Sequence, residues 1–295
     1  MRQILYPMDT HQGDRLEELL RHFTFPVRGF GAWQQDSRPT NLEGYICDHQ
    51  ITYIAGGTLR FSLQGRTFTC PTGSLLLFEP FEIYTTEIVA EGEPLECCSI
   101  HFDIAPEYRQ KEFVRLLLGR GENLFLPGEL PPVPGLFHNL FESRRKKEPG
   151  LLLQAELDLR LIFLYMLQAR WEEGAVHFSV RPAAARQGEL VQKSICYIQE
   201  QIAAPIRVSK LAQTLNISVN YLYQCFMDVL GLSPSRYILR YKVRRSIDLM
   251  AAGKTVEEIG ALLGFSSPYH FSTTFKQIMG CAPRDYIKAV SRGRL

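Results

Sequence analysis

The stretch GFSSPYHFSTTFKQIMGCAPRDYI, residues 264–287, decides the fold of the C-terminal part of this chain. Its end, GCAPRDYI, repeats the pattern of GLSPSRYI at residues 231–238, with glycine, proline, tyrosine and isoleucine in the same positions. This agreement in register predicts that the segments before the two turns are also copies of one structural unit.

The segments 208–230 and 256–279 carry that duplication. Each begins with apolar residues at helical spacing, which predict a short helix. Asn216 and Gly264 follow these helices, and both are residue types that readily adopt the left-handed conformation of a sharp turn. Ser218 and Ser267 are then placed to cap a second helix. Each copy therefore predicts a helix-turn-helix unit, the geometry that lays a second helix in the major groove of DNA.

The second helix of each unit has an inner apolar face and an outer polar face. Pairs of apolar residues four positions apart predict the inner face, and they are Leu222 with Phe226 and Phe271 with Phe275. The outer positions hold hydrogen-bonding residues rather than lysine or glutamate. They are Asn220, Tyr223, Gln224, Tyr269, Ser272 and Thr273.

A single helix over residues 234–252 is predicted to join the two units, and Gly253 is placed to end it. Thr255 and Glu258 form a capping box for the next helix, whereas Arg207 stands at the matching position of the first copy, which lacks that cap. Basic residues of the joining helix are candidates for phosphate contacts. They are Arg236, Arg240, Lys242, Arg244 and Arg245.

Charge is distributed unevenly along the chain. Residues 1–182 carry a net charge of −6 and residues 183–295 a net charge of +8. A basic half joined to an acidic one indicates that the C-terminal part faces a polyanion such as nucleic acid. Charge alone leaves open the alternative of a solvated basic surface. The seven cysteines contain no CxxC pair, so we expect reduced thiols rather than disulfides or a zinc site.

The C-terminal residues resemble the DNA-binding domain of the AraC/XylS family of bacterial transcription regulators, and residues 264–287 resemble its most diagnostic stretch. The resemblance covers roughly residues 187–290. It implies base contacts from the six outer residues, Asn220, Tyr223, Gln224, Tyr269, Ser272 and Thr273, and phosphate contacts from Arg240, Lys242, Arg244 and Lys276. Lys242 and Ser246 stand where the family usually has arginine and alanine, which implies a weaker phosphate contact and looser packing there.

Residues 43–102 change to the period of β-strands. The segment TLRFSLQGRTFTC reads as a hairpin, and ITYI, SLLLF and ECCSIHF read as further short strands. Several strands separated by turn signals predict a small antiparallel barrel or jelly roll. Roughly residues 20–105 resemble the cupin-like sensor domain that many AraC/XylS members carry. The expected fold class is therefore α+β multidomain, with an N-terminal cupin-like antiparallel β-barrel with helices and an all-α C-terminal domain.

A metal-dependent enzyme is not expected from the barrel. Metallocupins gather histidines and a carboxylate on neighbouring strands, whereas Ile83 and Tyr84 stand where a histidine would be expected and His101 stands alone. We therefore predict no metal, no cofactor and no catalytic residue. A barrel without a metal can bind a small molecule between aromatic walls and a few polar groups. The candidate effector-binding residues are Trp33, Tyr53, Arg60, Tyr84 and His101.

Helices are predicted after the barrel at residues 107–118, 136–147 and 150–171. The last is apolar around much of its circumference and must be covered, either by the barrel or by a second copy across a twofold axis. The expected division is an effector-binding and dimerisation domain at residues 1–173, a linker at 174–187 and a DNA-binding domain at 188–295. No stretch is long and apolar enough to predict a membrane span, and no secretory signal is read, so we expect a cytoplasmic protein.

The predicted function is sequence-specific regulation of transcription, with double-stranded promoter DNA as partner and a small-molecule effector, a sugar or related metabolite, in the barrel. A homodimer is expected and RNA polymerase is a candidate partner. Two alternatives stay open at this point. One is a constitutive DNA-binding regulator whose barrel serves only dimerisation, and the other is a metallocupin-like enzyme fused to a DNA-binding tail.

Overall fold

The protein, seen in a computed structural model, is described over residues 20–35, 41–63, 66–89, 94–118, 123–172 and 182–291. Its N-terminal half is a β-structure followed by helices, and its C-terminal half is helical. The α+β organisation predicted from the sequence is therefore confirmed.

Nine strands of the described residues form two antiparallel sheets. They are β1 (Val27–Gln35), β2 (Asn41–Tyr45), β3 (His49–Gly56), β4 (Thr58–Leu63), β5 (Arg66–Pro71), β6 (Leu75–Phe78), β7 (Ile83–Ile88), β8 (Leu95–Phe102) and β9 (Leu124–Phe125). The first sheet has the order β1-β8-β3-β6-β9, and the second has the order β2-β7-β4-β5. The predicted hairpin is β4 with β5, where Leu63 lies opposite Arg66.

The predicted cupin-like barrel is present as two facing antiparallel sheets, and the barrel is not closed. Hydrogen-bonded pairing among the described strands runs within each sheet, and the two sheets face each other through side chains. Ile54 and Cys97 of the first sheet share a buried core with Phe61 and Ile88 of the second. Because side chains alternate along a strand, the neighbouring residues point to the opposite face.

That opposite face of the first sheet is covered by three helices, α1 (Gln110–Leu118), α2 (Val133–Arg145) and α3 (Leu151–Glu172). A 3₁₀ turn, Glu107–Arg109, precedes α1. Rings of Phe25, Phe113 and Phe163 lie in the centre of this second core, with centroids 4.7 to 5.2 Å apart. The apolar helix predicted at residues 150–171 is α3, and its inner face packs on the sheet.

The C-terminal half contains seven described helices. They are α4 (Pro182–Glu200), α5 (Val208–Thr214), α6 (Val219–Leu230), α7 (Pro234–Ala251), α8 (Val256–Leu262), α9 (Pro268–Met279) and α10 (Pro283–Ser291). α4 supplies Val191, Ile195 and Ile198 to the core of the first unit. α4 also begins inside the segment predicted as a linker, whose residues 174–181 lie outside the described residues. The division into domains stays a proposal.

α7 joins the two units and belongs to both cores. Tyr237 and Ile238 near its start are buried with α5 and α6, whereas Val243 and Met250 are buried with α8 and α9. The repeated turns are left-handed at Gly231 and Gly280, with φ of 65° and 79°. Glycine reaches this conformation without steric cost, which explains why it recurs at the end of each second helix.

Candidate DNA-binding surface and ligand pocket

The first helix-turn-helix unit is α5 and α6. Asn216 turns the chain between them with φ of 54°, and the Ser218 hydroxyl accepts a hydrogen bond from the Tyr221 backbone N–H at 3.1 Å. With one side of α6 fixed by buried Leu222 and Phe226, the opposite side is presented to solvent. Asn220, Tyr223 and Gln224 are exposed there, as predicted for the outer face.

The Tyr223 hydroxyl lies 3.2 Å from the Ser235 hydroxyl at the start of α7. This contact fixes the tyrosine across the junction between the first unit and the joining helix. Asn220 and Gln224 are left with amide groups whose donors and acceptors suit the edge of adenine. The base contacts of all three residues remain predictions.

The second unit, α8 and α9, follows the same plan. Gly264 forms the turn with φ of 61°, and the Ser267 hydroxyl accepts from the His270 backbone N–H at 3.1 Å. The rings of Phe271 and Phe275 are buried beneath α9. On its outer side Tyr269 is 81% exposed, whereas Ser272 and Thr273 are half-buried. The predicted outer positions of α6 and α9 therefore carry amide and hydroxyl groups.

The four candidate phosphate contacts have different surroundings. Lys276 is exposed on α9. The Arg240 guanidinium lies over the Phe81 ring at 4.8 Å, and Arg244 Nη1 is 3.1 Å from Asp103 Oδ1. Both of these partners belong to the N-terminal half. In this arrangement Arg240 and Arg244 are engaged inside the protein, and their phosphate contacts stay predictions.

Lys242 is enclosed rather than presented to solvent. Its Nζ lies 3.4 Å from the carbonyl oxygens of Ala204, in the loop between α4 and α5, and of Gly264, in the turn of the second unit. Burial lowers the pKa of this ammonium group. The position of Lys242 in a basic run predicts a phosphate contact, but helical periodicity turns its side chain toward the second unit and the loop before α5. Its contacts join that loop to the turn of the second unit.

The structure places the predicted effector-binding residues in different parts of the N-terminal half. Trp33 and Tyr84 pack against the core between the sheets, where burial raises the pKa of Tyr84 to about 12. Tyr53 lies on the other face of its sheet and stacks on Phe137 of α2 at 5.2 Å. Arg60 is exposed and pairs with Glu87 at 2.7 Å. Tyr53 and Arg60 therefore do not share a pocket with Trp33 and Tyr84, because strand alternation directs their side chains away from the core between the sheets.

His101 lies at the end of the inner face of the first sheet, with Nδ1 3.0 Å from Asp48 Oδ1. Beside it is a polar cluster that sequence reasoning missed, formed by Gln50, Thr52 and Ser99. Gln50 Nε2 donates to Thr52 Oγ1 at 2.8 Å and to Ser99 Oγ at 3.1 Å. These three residues are buried on the same side of their strands as Ile54 and Cys97. Polar residues at alternating positions of apolar strands were the only signal for this cluster.

The described residues contain no group of three or more histidine, cysteine or carboxylate side chains that could hold a metal ion. Within the same residues, no helix has the length and hydropathy needed to cross a membrane.

Comparison with known proteins assigns both halves. Residues 30–157 match the family model of the AraC-like ligand binding domain, and residues 211–289 match that of a helix-turn-helix domain. The uncharacterized HTH-type transcriptional regulator YisR of Bacillus subtilis is 31% identical over 297 residues, which cover 91% of this chain and 96% of YisR. The Msm operon regulatory protein of Streptococcus mutans is 35% identical over 94 residues, about a third of each chain.

Solved structures of ToxT from Vibrio cholerae have a similar fold. The structure bound to an unsaturated fatty acid has a TM-score of 0.56 at 15% identity and covers 90% of this chain and 95% of ToxT. A second ToxT structure has a TM-score of 0.57 at 15% identity and covers 91% of this chain and 98% of ToxT. The likeness extends over both halves and concerns the fold alone.

Proposed function

Because this chain belongs to the AraC family of transcriptional regulators, we propose that it recognises a promoter sequence through α6 and α9 under the control of a small molecule bound between the two sheets. The observation that carries the proposal is the pair of capped second helices, each with a buried apolar face and an exposed hydrogen-bonding face. The expected output is a change in promoter occupancy or in contact with RNA polymerase. The chain would act on promoter DNA in the cytoplasm, and we assign it no catalytic step.

Binding of the full-length protein to the duplex upstream of its own gene tests this proposal, with a shuffled duplex of equal composition for comparison. Asn220→Ala and Thr273→Ala should each weaken promoter binding by about 1 to 3 kcal/mol and leave the shuffled duplex nearly unaffected. Lys276→Ala should instead weaken both duplexes and reduce the salt slope by about one. Fluorescence anisotropy across a salt series separates the two behaviours. Equal affinity of the unchanged protein for both duplexes would contradict sequence-specific recognition by this chain.

The polar cluster between the two sheets favours an uncharged, hydroxyl-bearing effector. Gln50, Thr52 and Ser99 supply neutral amide and hydroxyl groups, which can exchange their mutual hydrogen bonds for bonds to a ligand. Trp33 and Tyr84 supply aromatic surface in the same core. This chemistry suits a sugar or related metabolite better than a carboxylic acid.

Thermal unfolding with a panel of neutral sugars tests the effector class. A sugar present at about 100 times its Kd should stabilise the protein by about 2.7 kcal/mol, and Ser99→Ala should reduce that gain. Ser62→Ala removes an exposed hydroxyl that pairs with Thr67, so it serves as the matched control and should leave the gain unchanged. Stabilisation by fatty acids but by no sugar would contradict this assignment.

We also propose that two copies of the chain form a homodimer through α3. The inner face of α3 is buried, but Leu153, Leu157 and Leu161 form a stripe on its outer face that is 62%, 55% and 39% exposed. These leucines are four residues apart and so lie along one side of the helix. A second copy of α3 would cover the stripe across a twofold axis, since such an axis matches identical apolar surfaces.

A further inference from the structure

One face of α7 is docked on the N-terminal half. Arg240, Arg244 and Asp248 occupy this face, which we name the docked face of α7, and each contacts a residue of the N-terminal half. Their partners are Phe81, Asp103 and Arg28, respectively. Residues three or four positions apart on a helix share one side, so these contacts form a continuous line. α7 is therefore held over residues 240–248 by residues from three separate parts of the chain.

Arg28 is the centre of the ionic contacts. Its guanidinium lies 3.5 Å from Asp48 and 3.4 Å from Asp103, both in the N-terminal half, and its Nη2 contacts Asp248 of α7. The Arg28 side chain is only 21% exposed, so salt screens these pairs less than it screens surface pairs. Without Arg28, the carboxylates of Asp48 and Asp103 would repel that of Asp248. The arginine therefore turns a repulsion between the two halves into an attraction.

Arg244 is surrounded by carboxylates of the N-terminal half. Burial by itself would lower the pKa of Arg244, but the charges of Asp103 and Glu107 raise it. Burial raises the pKa of Glu107, and Arg244 opposes that shift. Each group therefore stabilises the charged form of the other. A guanidinium binds carboxylate and phosphate with the same planar set of donors, so DNA phosphates could take the place of these carboxylates.

Apolar contacts reinforce the docking at both helix-turn-helix units. Cys47 and Phe81 pack into the core of the second unit, and Tyr108 packs against the core of the first. Tyr108 lies so close to Gly188 of α4 that a Cβ there would meet its ring at 2.7 Å. The N-terminal half thus fixes the position of the two units as well as the charges of α7.

We propose that carboxylates of the N-terminal half and phosphates of DNA compete for the docked face of α7, so that the present arrangement is the low-affinity state. The inference rests on the proposed function, because it needs a chain that binds DNA. Arg28 is the positioning residue of this state. Loss of its contact with Asp248 lets α7 leave the N-terminal half, which separates Arg244 from Asp103 and makes it available to the DNA backbone. The two units are then free to move relative to each other.

Arg28→Gln in the full-length protein is the decisive variant. Removing a positive charge ordinarily weakens binding to DNA. Release of α7 should instead tighten DNA binding about fivefold or more, because coupling between two sites usually changes affinity by at least that factor. The matched control is Arg145→Gln, which removes the same charge from an exposed arginine that pairs with Glu142 on its own helix. That control should show no gain. Anisotropy with the promoter duplex at fixed salt measures both variants.

A second arm tests the role of Arg244. Arg244→Gln should weaken DNA binding more in the Arg28→Gln background than in the otherwise unchanged protein, because only the released arginine reaches phosphate. Asp103→Asn is an independent way to release α7 and should also tighten DNA binding. It replaces Arg28→Gln as the test if circular dichroism shows that Arg28→Gln is unstable. Equal effects of Arg244→Gln in both backgrounds would overturn the competition.

The outcomes separate this inference from the proposed function. Promoter binding that neither Arg28→Gln nor Asp103→Asn tightens would overturn the inference alone. Absence of promoter binding by the unchanged protein and by every variant would overturn the proposed function, and the inference with it. Tightening by both variants with no gain from Arg145→Gln would support the competition.

Discussion

His49 is buried, and the attraction of neighbouring negative charge is too weak to keep its imidazole ring protonated in the folded protein. It is 2% exposed, and its ring stacks on Phe102 with centroids 5.5 Å apart. Burial lowers the pKa of His49 to about 3, although the neighbouring Asp48 raises it. A histidine in an unfolded chain has a pKa near 6.5. The folded protein therefore prefers the neutral ring over the whole range between these values.

Acidification should destabilise the protein through His49. Below a pH of about 6.5 the unfolded chain takes up a proton that the folded chain refuses, so the free energy of unfolding should fall by up to about 1.4 kcal/mol per pH unit until the pH nears 3. His49→Gln should flatten this dependence in urea titrations at several pH values. His138→Gln, at an exposed position of α2, is the control and should keep the slope. Identical slopes for both variants would contradict the assignment.

The turns at Asn216 and Gly264 look equivalent in the sequence but differ in their surroundings. Both are left-handed, with φ of 54° and 61°. A Cβ at Gly264 would meet the Ala203 carbonyl oxygen at 2.7 Å, whereas Asn216 is exposed. Packing of the second unit against the end of α4 therefore requires glycine in the second copy only.

At the scale of elements, the two copies differ most in how their first helices begin. The Thr255 hydroxyl accepts from the Glu258 N–H at 3.2 Å, and the Glu258 carboxylate accepts from the Thr255 N–H at 2.8 Å. Arg207, at the matching position before α5, makes no capping bond from its side chain. The predicted capping box is therefore confirmed, and so is its absence from the first copy.

Thr255→Ala should lower the free energy of unfolding by about 1 kcal/mol, because it leaves an N–H group at the start of α8 without its partner. Arg207→Ala removes no such bond and should change stability by much less. Denaturant titrations followed by circular dichroism compare the two. Losses of equal size would indicate that the cap adds nothing to the stability of the second unit.

At the scale of the whole molecule, we expect the leucine stripe of α3 to form the interface between two copies of the chain. Leu157→Glu should raise the Kd of the dimer about tenfold or more, because a charge would replace a leucine that the proposed dimer interface buries on each protomer. Leu262→Glu changes a leucine of similar exposure, 47%, on α8 and is the matched control. Sedimentation equilibrium measures both. A monomer of unchanged sequence, or equal weakening by the two variants, would exclude assembly through α3.

The docking of the two halves is also a property of the whole molecule, and it changes the meaning of single residues. Arg240, Lys242 and Arg244 read as one basic run, but the structure gives them three different kinds of partner. These are an aromatic ring for Arg240, two carbonyl oxygens for Lys242 and a carboxylate for Arg244. Helical periodicity sends neighbours in sequence to different sides of α7. Their partners come from distant parts of the chain, so no local pattern could identify them.

Elements with local signals could be predicted from the amino-acid sequence alone. Helix period, the left-handed turns and the serine caps located both helix-turn-helix units, and strand alternation with Gln64 and Gly65 between two strands located the hairpin. The tertiary structure alone decided which face of each strand points between the sheets, hence the separation of Tyr53 from Tyr84 and the burial of Gln50 with Ser99. It alone placed Arg28 beside Asp248, 220 residues away. Local patterns reflect backbone and solvent preferences, whereas such contacts depend on how whole elements pack.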